Sequence, residues 1–126
     1  MKLASVRLVT NDLDRLATFY GNLTGIAATR WAPDFAEIRF DGAILALSTE
    51  KAVKQFNAGA AVAADNRSAI VELQVDDVDG LHARLKDMRL EFVMAPTTMP
   101  WGNRSMLLRD PDGNLINVFS RPATKA

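Results

Sequence analysis

Residues 6–16, VRLVTNDLDRL, lie on residues 71–81, VELQVDDVDGL, at an offset of 65. Val6/Val71, Leu8/Leu73, Asp12/Asp77, Asp14/Asp79 and Leu16/Leu81 match. The apolar stripe that follows keeps the offset. Leu13, Leu16, Tyr20 and Leu23 recur as Val78, Leu81, Leu85 and Met88, the spacing of one helix face. Asn11 or Asp12, and Asp76 or Asp77, offer side-chain oxygens to cap the two helix starts. A chain that opens two strand–helix units in the same way is confined to folds made of two copies of one module.

After each helix come short runs of strand character. In the first half these are 26–31, 36–40 and 43–48, with Asp41-Gly42 as a turn. In the second half they are 91–96, 104–109 and 114–120, and Asp110-Pro111-Asp112-Gly113 makes the turn. Aligning the two Asp-Gly pairs gives an offset of 71, so the second half has gained six residues in its loops. The pattern predicts an α+β fold: a single domain, 1–126, of two βαβββ modules at 1–48 and 68–122. Residues 49–67 are the linker, a short helix and then a mobile, small-residue stretch.

Each sheet is expected to carry its helix on one face. The other faces would form a curved surface around a shared cleft. Strand alternation puts Val6 and Leu8, and Val71, Leu73 and Val75, under the helices. It leaves Ser5, Arg7 and Val9, with Ile70, Glu72 and Gln74, on the opposite faces, and aims Leu115, Asn117 and Phe119 at the cleft.

Composition removes whole classes of function. Fifteen basic and fifteen acidic residues cancel, so nothing points to nucleic acid or an anionic membrane. With no cysteine there is no disulfide, thiolate metal site or cysteine nucleophile. The N-terminus turns polar within ten residues, which fits neither a signal peptide nor a membrane span, and the expected location is the cytoplasm. No Ser-His-Asp set, phosphate loop or dinucleotide fingerprint is present. The single histidine, His82, flanks the apolar stripe of the second helix and reads as a half-exposed surface residue.

The doubled V-x-L…D-x-D-x-L opening and the closing W-G-N-R…R-D-P-D-G-N-L-I-N resemble the vicinal oxygen chelate superfamily over residues 3–121. That superfamily includes glyoxalase I, extradiol dioxygenases and bleomycin-resistance proteins. The resemblance implies a divalent metal held by four side chains, two per module, and places those positions on Ser5, Ala46, Ile70 and Asn117. Ala46 and Ile70 have no lone pairs to give, and Ser5 and Asn117 offer only weak neutral oxygens. The frame of a metal site is kept and its ligands are not, so no cofactor is expected. Glu37, Glu72 and Gln74 are further polar candidates, but without imidazole they suit only a loosely held Mg²⁺ or Ca²⁺.

The reading that follows is metal-free binding or sequestration of a small molecule in the cleft, similar to the resistance proteins of the superfamily. The alternative is a lyase, isomerase or dioxygenase-like enzyme using Glu72 as general base, or a non-standard metal site. A third is a structural module whose cleft is filled by its own side chains. Arg7 and Glu72 are repeat mates, either paired across the module seam or turned to a ligand. Asn117 either orients a ligand or bonds nearby backbone. Trp31 and Trp101, 70 apart and each near a proline, are expected before the third strand of their modules. There they either cap the sheets or, with Phe119, stack on a planar, aromatic ligand. A homodimer is expected, because open sheets leave strand edges that one small chain covers poorly.

Overall fold

The computed structural model describes residues 1–122. Its first half runs β1 (Val6–Thr10), α1 (Leu13–Thr24), β2 (Thr29–Ala32), β3 (Phe35–Phe40), β4 (Ala43–Thr49) and α2 (Glu50–Phe56). The second runs β5 (Ile70–Gln74), α3 (Val78–Leu85), a 3-10 turn (Lys86–Met88), β6 (Glu91–Thr98), β7 (Arg104–Arg109) and β8 (Leu115–Ser120). Two four-stranded sheets form, ordered β1-β4-β3-β2 and β5-β8-β7-β6. In each, the opening strand runs parallel to the closing one and the other pairs are antiparallel. The fold is therefore α+β, two βαβββ modules of the same topology. The chain divides into two compact units after Asn66.

The helix starts follow from the repeated aspartates. Asp12 accepts the backbone N–H of Arg15 at 3.1 Å and Asp77 that of Gly80 at 3.0 Å, each satisfying a donor the helix cannot. A Cβ at position 80 would meet the Asp77 carboxylate as it now lies, so a side chain there would require the cap to shift. The stripe Leu13, Leu16, Tyr20 and Leu23 is buried and packs on β3 and β4 with Leu8, Ala36, Ile38, Leu45 and Leu47. In the second module Val78 and Leu85 pack on Met106, Leu108, Ile116 and Val118. Burying each large apolar side chain stabilises the fold by about 1.5–3 kcal/mol.

The second stripe is shorter than its spacing predicts. Met88 is 39 % exposed because α3 gives way after Leu85 to a 3-10 turn, which advances each residue by more than an α-helix does. Val6, expected under α1, is half exposed on an edge strand, and Thr10 is the further residue of β1 that is buried. The first strand after α1 begins at Thr29, not at 26. Gly25 adopts φ 74 at the helix end, and the N–H of Ile26 is taken by Thr24 Oγ1 at 3.1 Å, which commits these residues to the cap. β6 extends to Thr98 through Pro96, tolerated on an edge strand that carries two register shifts.

Both Asp-Gly turns rely on glycine in the left-handed region, with φ 77 at Gly42 and 83 at Gly113. The second is also held by the buried Asp110. Its carboxylate accepts the N–H groups of Asp112 and Asn114 at 2.9 and 3.0 Å and the Asn114 amide at 2.7 Å. The repeat mates Asp14 and Asp79 each tie a helix start to a strand, through Arg30 at 2.6 Å and Arg104 at 2.7 Å. Among the described residues no helix is long and apolar enough to cross a membrane.

Candidate functional site

The register of the sheets decides which side chains share the faces that α1 and α3 leave uncovered. In the first module Arg7 pairs with Ala46, and Ala46 with Glu37. In the second Glu72 pairs with Asn117, and Asn117 with Leu107. Arg7 and Glu72 are related by the offset of 65, and Ala46 and Asn117 by 71, so these rows are the same place in two copies. Ser5 and Ile70 stand two residues before Arg7 and Glu72. Strand alternation therefore puts Ala46, Ile70 and Asn117 on these faces, while Ser5 stands just before β1 begins.

Each row has its own chemistry. Arg7 donates through Nη2 to Asn57 Oδ1 at 2.6 Å. Asn57 caps the end of α2, so α2 returns alongside β1. Its seven residues rise roughly 10 Å, matching roughly 10 Å of strand between Thr10 and Arg7. Ala52 and Val53 of α2 are buried, as are Ala46 and Ser48. The Ser48 hydroxyl has no hydrogen-bond partner among the described residues. Further along the row, Glu37 Oε1 accepts the Trp31 indole N–H at 2.8 Å and Arg39 at 2.7 Å.

In the second module Asn117 Nδ2 donates to Glu72 Oε2 at 2.9 Å. Asn117 Oδ1 is shielded from water and has no partner among the described residues. Gln74 and Phe119 form the adjoining row. Arg121 lies over the Phe119 ring at 5.6 Å and donates to Gln74 Oε1 at 3.3 Å.

Sequence reasoning thus placed Arg7, Glu72, Asn117 and Phe119 on the helix-free faces, and missed Asn57, Arg39 and Arg121, whose roles depend on where a loop or a strand end returns. The tryptophans take different places. Trp31 lies within β2, where the register shifts between Arg30 and Ala32, and Trp101 lies in the turn between β6 and β7. They are 61 % and 69 % exposed. His82 packs edge-on against Phe92, on the helix side of the second sheet. A shallow groove of about 450 Å³ lies elsewhere, along the outer side of α1 between Ala17, Gly21, Gly25 and Ala28, and no site residue expected from sequence lines it.

A family model described as the Glyoxalase/Bleomycin resistance protein/Dioxygenase superfamily matches residues 2–118. The chain belongs to this superfamily. Solved superfamily structures agree in fold. A glyoxalase/bleomycin resistance protein/dioxygenase from Nocardioides superimposes with a TM-score of 0.79 at 24% identity, over 99% of this chain and 86% of that one. A glyoxalase-related enzyme from Fulvimarina pelagi gives 0.81 at 24% identity, over 95% and 88%. A lactoylglutathione lyase from Agrobacterium tumefaciens gives 0.71 at 20% identity, over 94% and 92%. At such identities the likeness concerns the fold alone. No curated protein matches the chain.

The metal that the resemblance implies for the superfamily does not fit the residues that stand here. Ala46 and Ile70 carry no donor atom, and Asn117 has turned its nitrogen to Glu72 and kept one neutral oxygen. Among the described residues no three His, Cys, Asp or Glu side chains converge to replace them. A transition-metal site in a protein calls for three or four imidazole, thiolate or carboxylate ligands.

Proposed function

We propose that this superfamily member binds a small organic molecule without a metal, on the helix-free face of its second module. The observation that carries the reading is the replacement at all four expected ligand positions by Ser5, Ala46, Ile70 and Asn117. Without those ligands the enediolate stabilisation of a glyoxalase and the iron chemistry of a ring-cleaving dioxygenase lose their means. Support for a binding face comes from its make-up. Glu72, Asn117 and Gln74 stand among Leu107, Leu115 and Phe119, a few polar groups set in apolar surroundings. Trp101, exposed in the β6–β7 turn, offers an indole at the end of the same sheet.

The test has two arms. Elemental analysis of the purified chain is expected to find no stoichiometric transition metal, and one tightly held ion per chain would refute the reading. A panel of neutral, cationic and anionic planar heteroaromatic compounds is then screened by tryptophan emission and by NMR shifts of β5 and β8. At least one class is expected to saturate with roughly micromolar affinity. If none does while the fold stays intact, the face is not a binding site.

The same proposal includes a cytoplasmic homodimer joined through strand edges, supported by half-exposed Val6 and Ile70 on the edge strands β1 and β5. Light scattering at micromolar concentration should return twice 13.8 kDa, and a value of 13.8 kDa would remove the dimer.

A further inference from the structure

We infer that the ligand of this second-module face is a cation with planar N–H donors, of the amidinium, guanidinium or protonated amino-heteroarene class, on an apolar body. The inference rests on the binding reading above and names the chemistry of its ligand. The Asn117 amide carries the argument. A carboxylate only accepts, so the atom meeting Glu72 Oε2 at 2.9 Å is the amide nitrogen, and this fixes Oδ1 on the other side. That oxygen is shielded from water, and no described residue donates to it. A buried acceptor without a donor is costly, and the cost disappears when a bound molecule supplies the missing N–H.

Beside this acceptor stands the exposed carboxylate of Glu72. Two neighbouring acceptors, one of them charged, disfavour an anion and favour a cation that donates twice. A planar amidinium or guanidinium carries N–H donors on separate nitrogens, so that one can meet the carboxylate while another meets the amide oxygen. The sheet's own cations are turned elsewhere. Arg109 Nη1 donates to the Gly113 carbonyl at 3.0 Å, and Arg121 is held between Gln74 and the Phe119 ring. Leu107 and Met94 complete the row of Asn117, and Leu115 precedes it on β8. They supply an apolar bed, in which the flexible methionine is the side chain best able to swing aside for a ligand.

Benzamidine, benzamide and benzoate share one ring and differ only in the head group. Each is titrated into the full chain and followed through the Asn117 side-chain amide and the backbone of β5 and β8 by NMR. Benzamidine is expected to shift these resonances saturably, benzamide more weakly, and benzoate not at all. Asn117→Leu and Glu72→Gln should each weaken benzamidine by at least about tenfold, while Asn117→Asp, which keeps an acceptor and adds charge, should retain it.

Several outcomes overturn the inference: no shift with benzamidine, equal binding of benzoate, or undiminished benzamidine affinity in a folded Asn117→Leu chain. The last would mean that the ligand makes no bond to Oδ1. If a neutral or anionic compound of the screening panel shifts β5 and β8 where benzamidine does not, the cation is wrong and the binding reading stands. If no compound of any charge does so, both fall together.

Discussion

At corresponding points of the two sheets, Ala46 is 1 % exposed beside Arg7, while Asn117 is half-buried beside Glu72. One repeat produced both places, yet they have become different environments. The first module's face has α2 returning along it, anchored by Val53 and by the Arg7–Asn57 bond. No helix follows the closing strand of the second module among the described residues, and its polar pair remains accessible through Glu72. The pair of faces teaches that a repeat conserves backbone register more strictly than it conserves what the register presents.

Placing a carboxylate at both points would break or sharpen that difference most. Ala46→Glu puts a charge where water has no access, in the row of Glu37, and should destabilise the chain by on the order of 3 kcal/mol or more. Asn117→Glu sets a carboxylate beside Glu72 on a half-open face, and like charges across a strand pair should remove only about 1 kcal/mol. Urea denaturation of the two variants measures both. Equal losses would mean that the two faces are equally covered and that the comparison is wrong.

The next test addresses α2 itself. Val53 is buried to 1 % exposure, so Val53→Ala removes about two methylene equivalents and leaves a small cavity, a loss of about 2 kcal/mol. Protection of the β1 amides against hydrogen exchange should fall in the same variant. If stability drops while that protection is unchanged, α2 is an appendage and does not cover the face.

A smaller effect is expected at Ser48, whose hydroxyl is fully buried with no partner among the described residues. Ser48→Ala removes an unsatisfied group and should leave stability unchanged or raise it by about 1 kcal/mol. A loss of similar size would reveal a bound water that the hydroxyl needs.

Much of this was legible in the chain because it depends on short-range periodicity. The α1 stripe, the Asp12 and Asp77 caps and the Asp-Gly turns each depend on contacts a few residues apart, which spacing encodes. The departures came where a local competitor changed the geometry. The Thr24 hydroxyl delays the strand after α1, and the 3-10 turn rotates Met88 outward. The site was half legible. Alternation placed Glu72 and Asn117 on one face, but their hydrogen bond required the parallel pairing of β5 with β8, forty-five residues apart. The return of Asn57 to Arg7 carries no sequence period at all, and neither does the folding of Arg121 onto Phe119.

The smallest expected effect concerns a device that both modules keep, the tie from a helix-start aspartate to a strand arginine. In the first module the tie is the Arg30 Nη1 contact to Asp14 Oδ1, whereas in the second Arg104 grips Asp79 with Nε and Nη2 at 2.7 and 2.9 Å. The fork of Arg104 holds the Asp79 carboxyl below its ordinary value of 3.8, mainly through those hydrogen bonds and further through charge attraction, against a weaker opposing effect of burial. A carboxylate with a lowered folded pKa stabilises the fold at pH above the unfolded value, near 3.8, and that contribution is lost as pH falls through the folded value beneath it. Both side chains are substantially exposed, so solvent and salt reduce the effect on stability, and the carboxyl titration is the better readout. By NMR the Asp79 midpoint should lie below 3.8, and Arg104→Gln should move it upward. The same substitution should flatten the fall in stability on acidification below that pH. An Asp79 midpoint indifferent to Arg104→Gln would show that the fork is not kept in solution, and the second module would then have no tighter helix tie than the first.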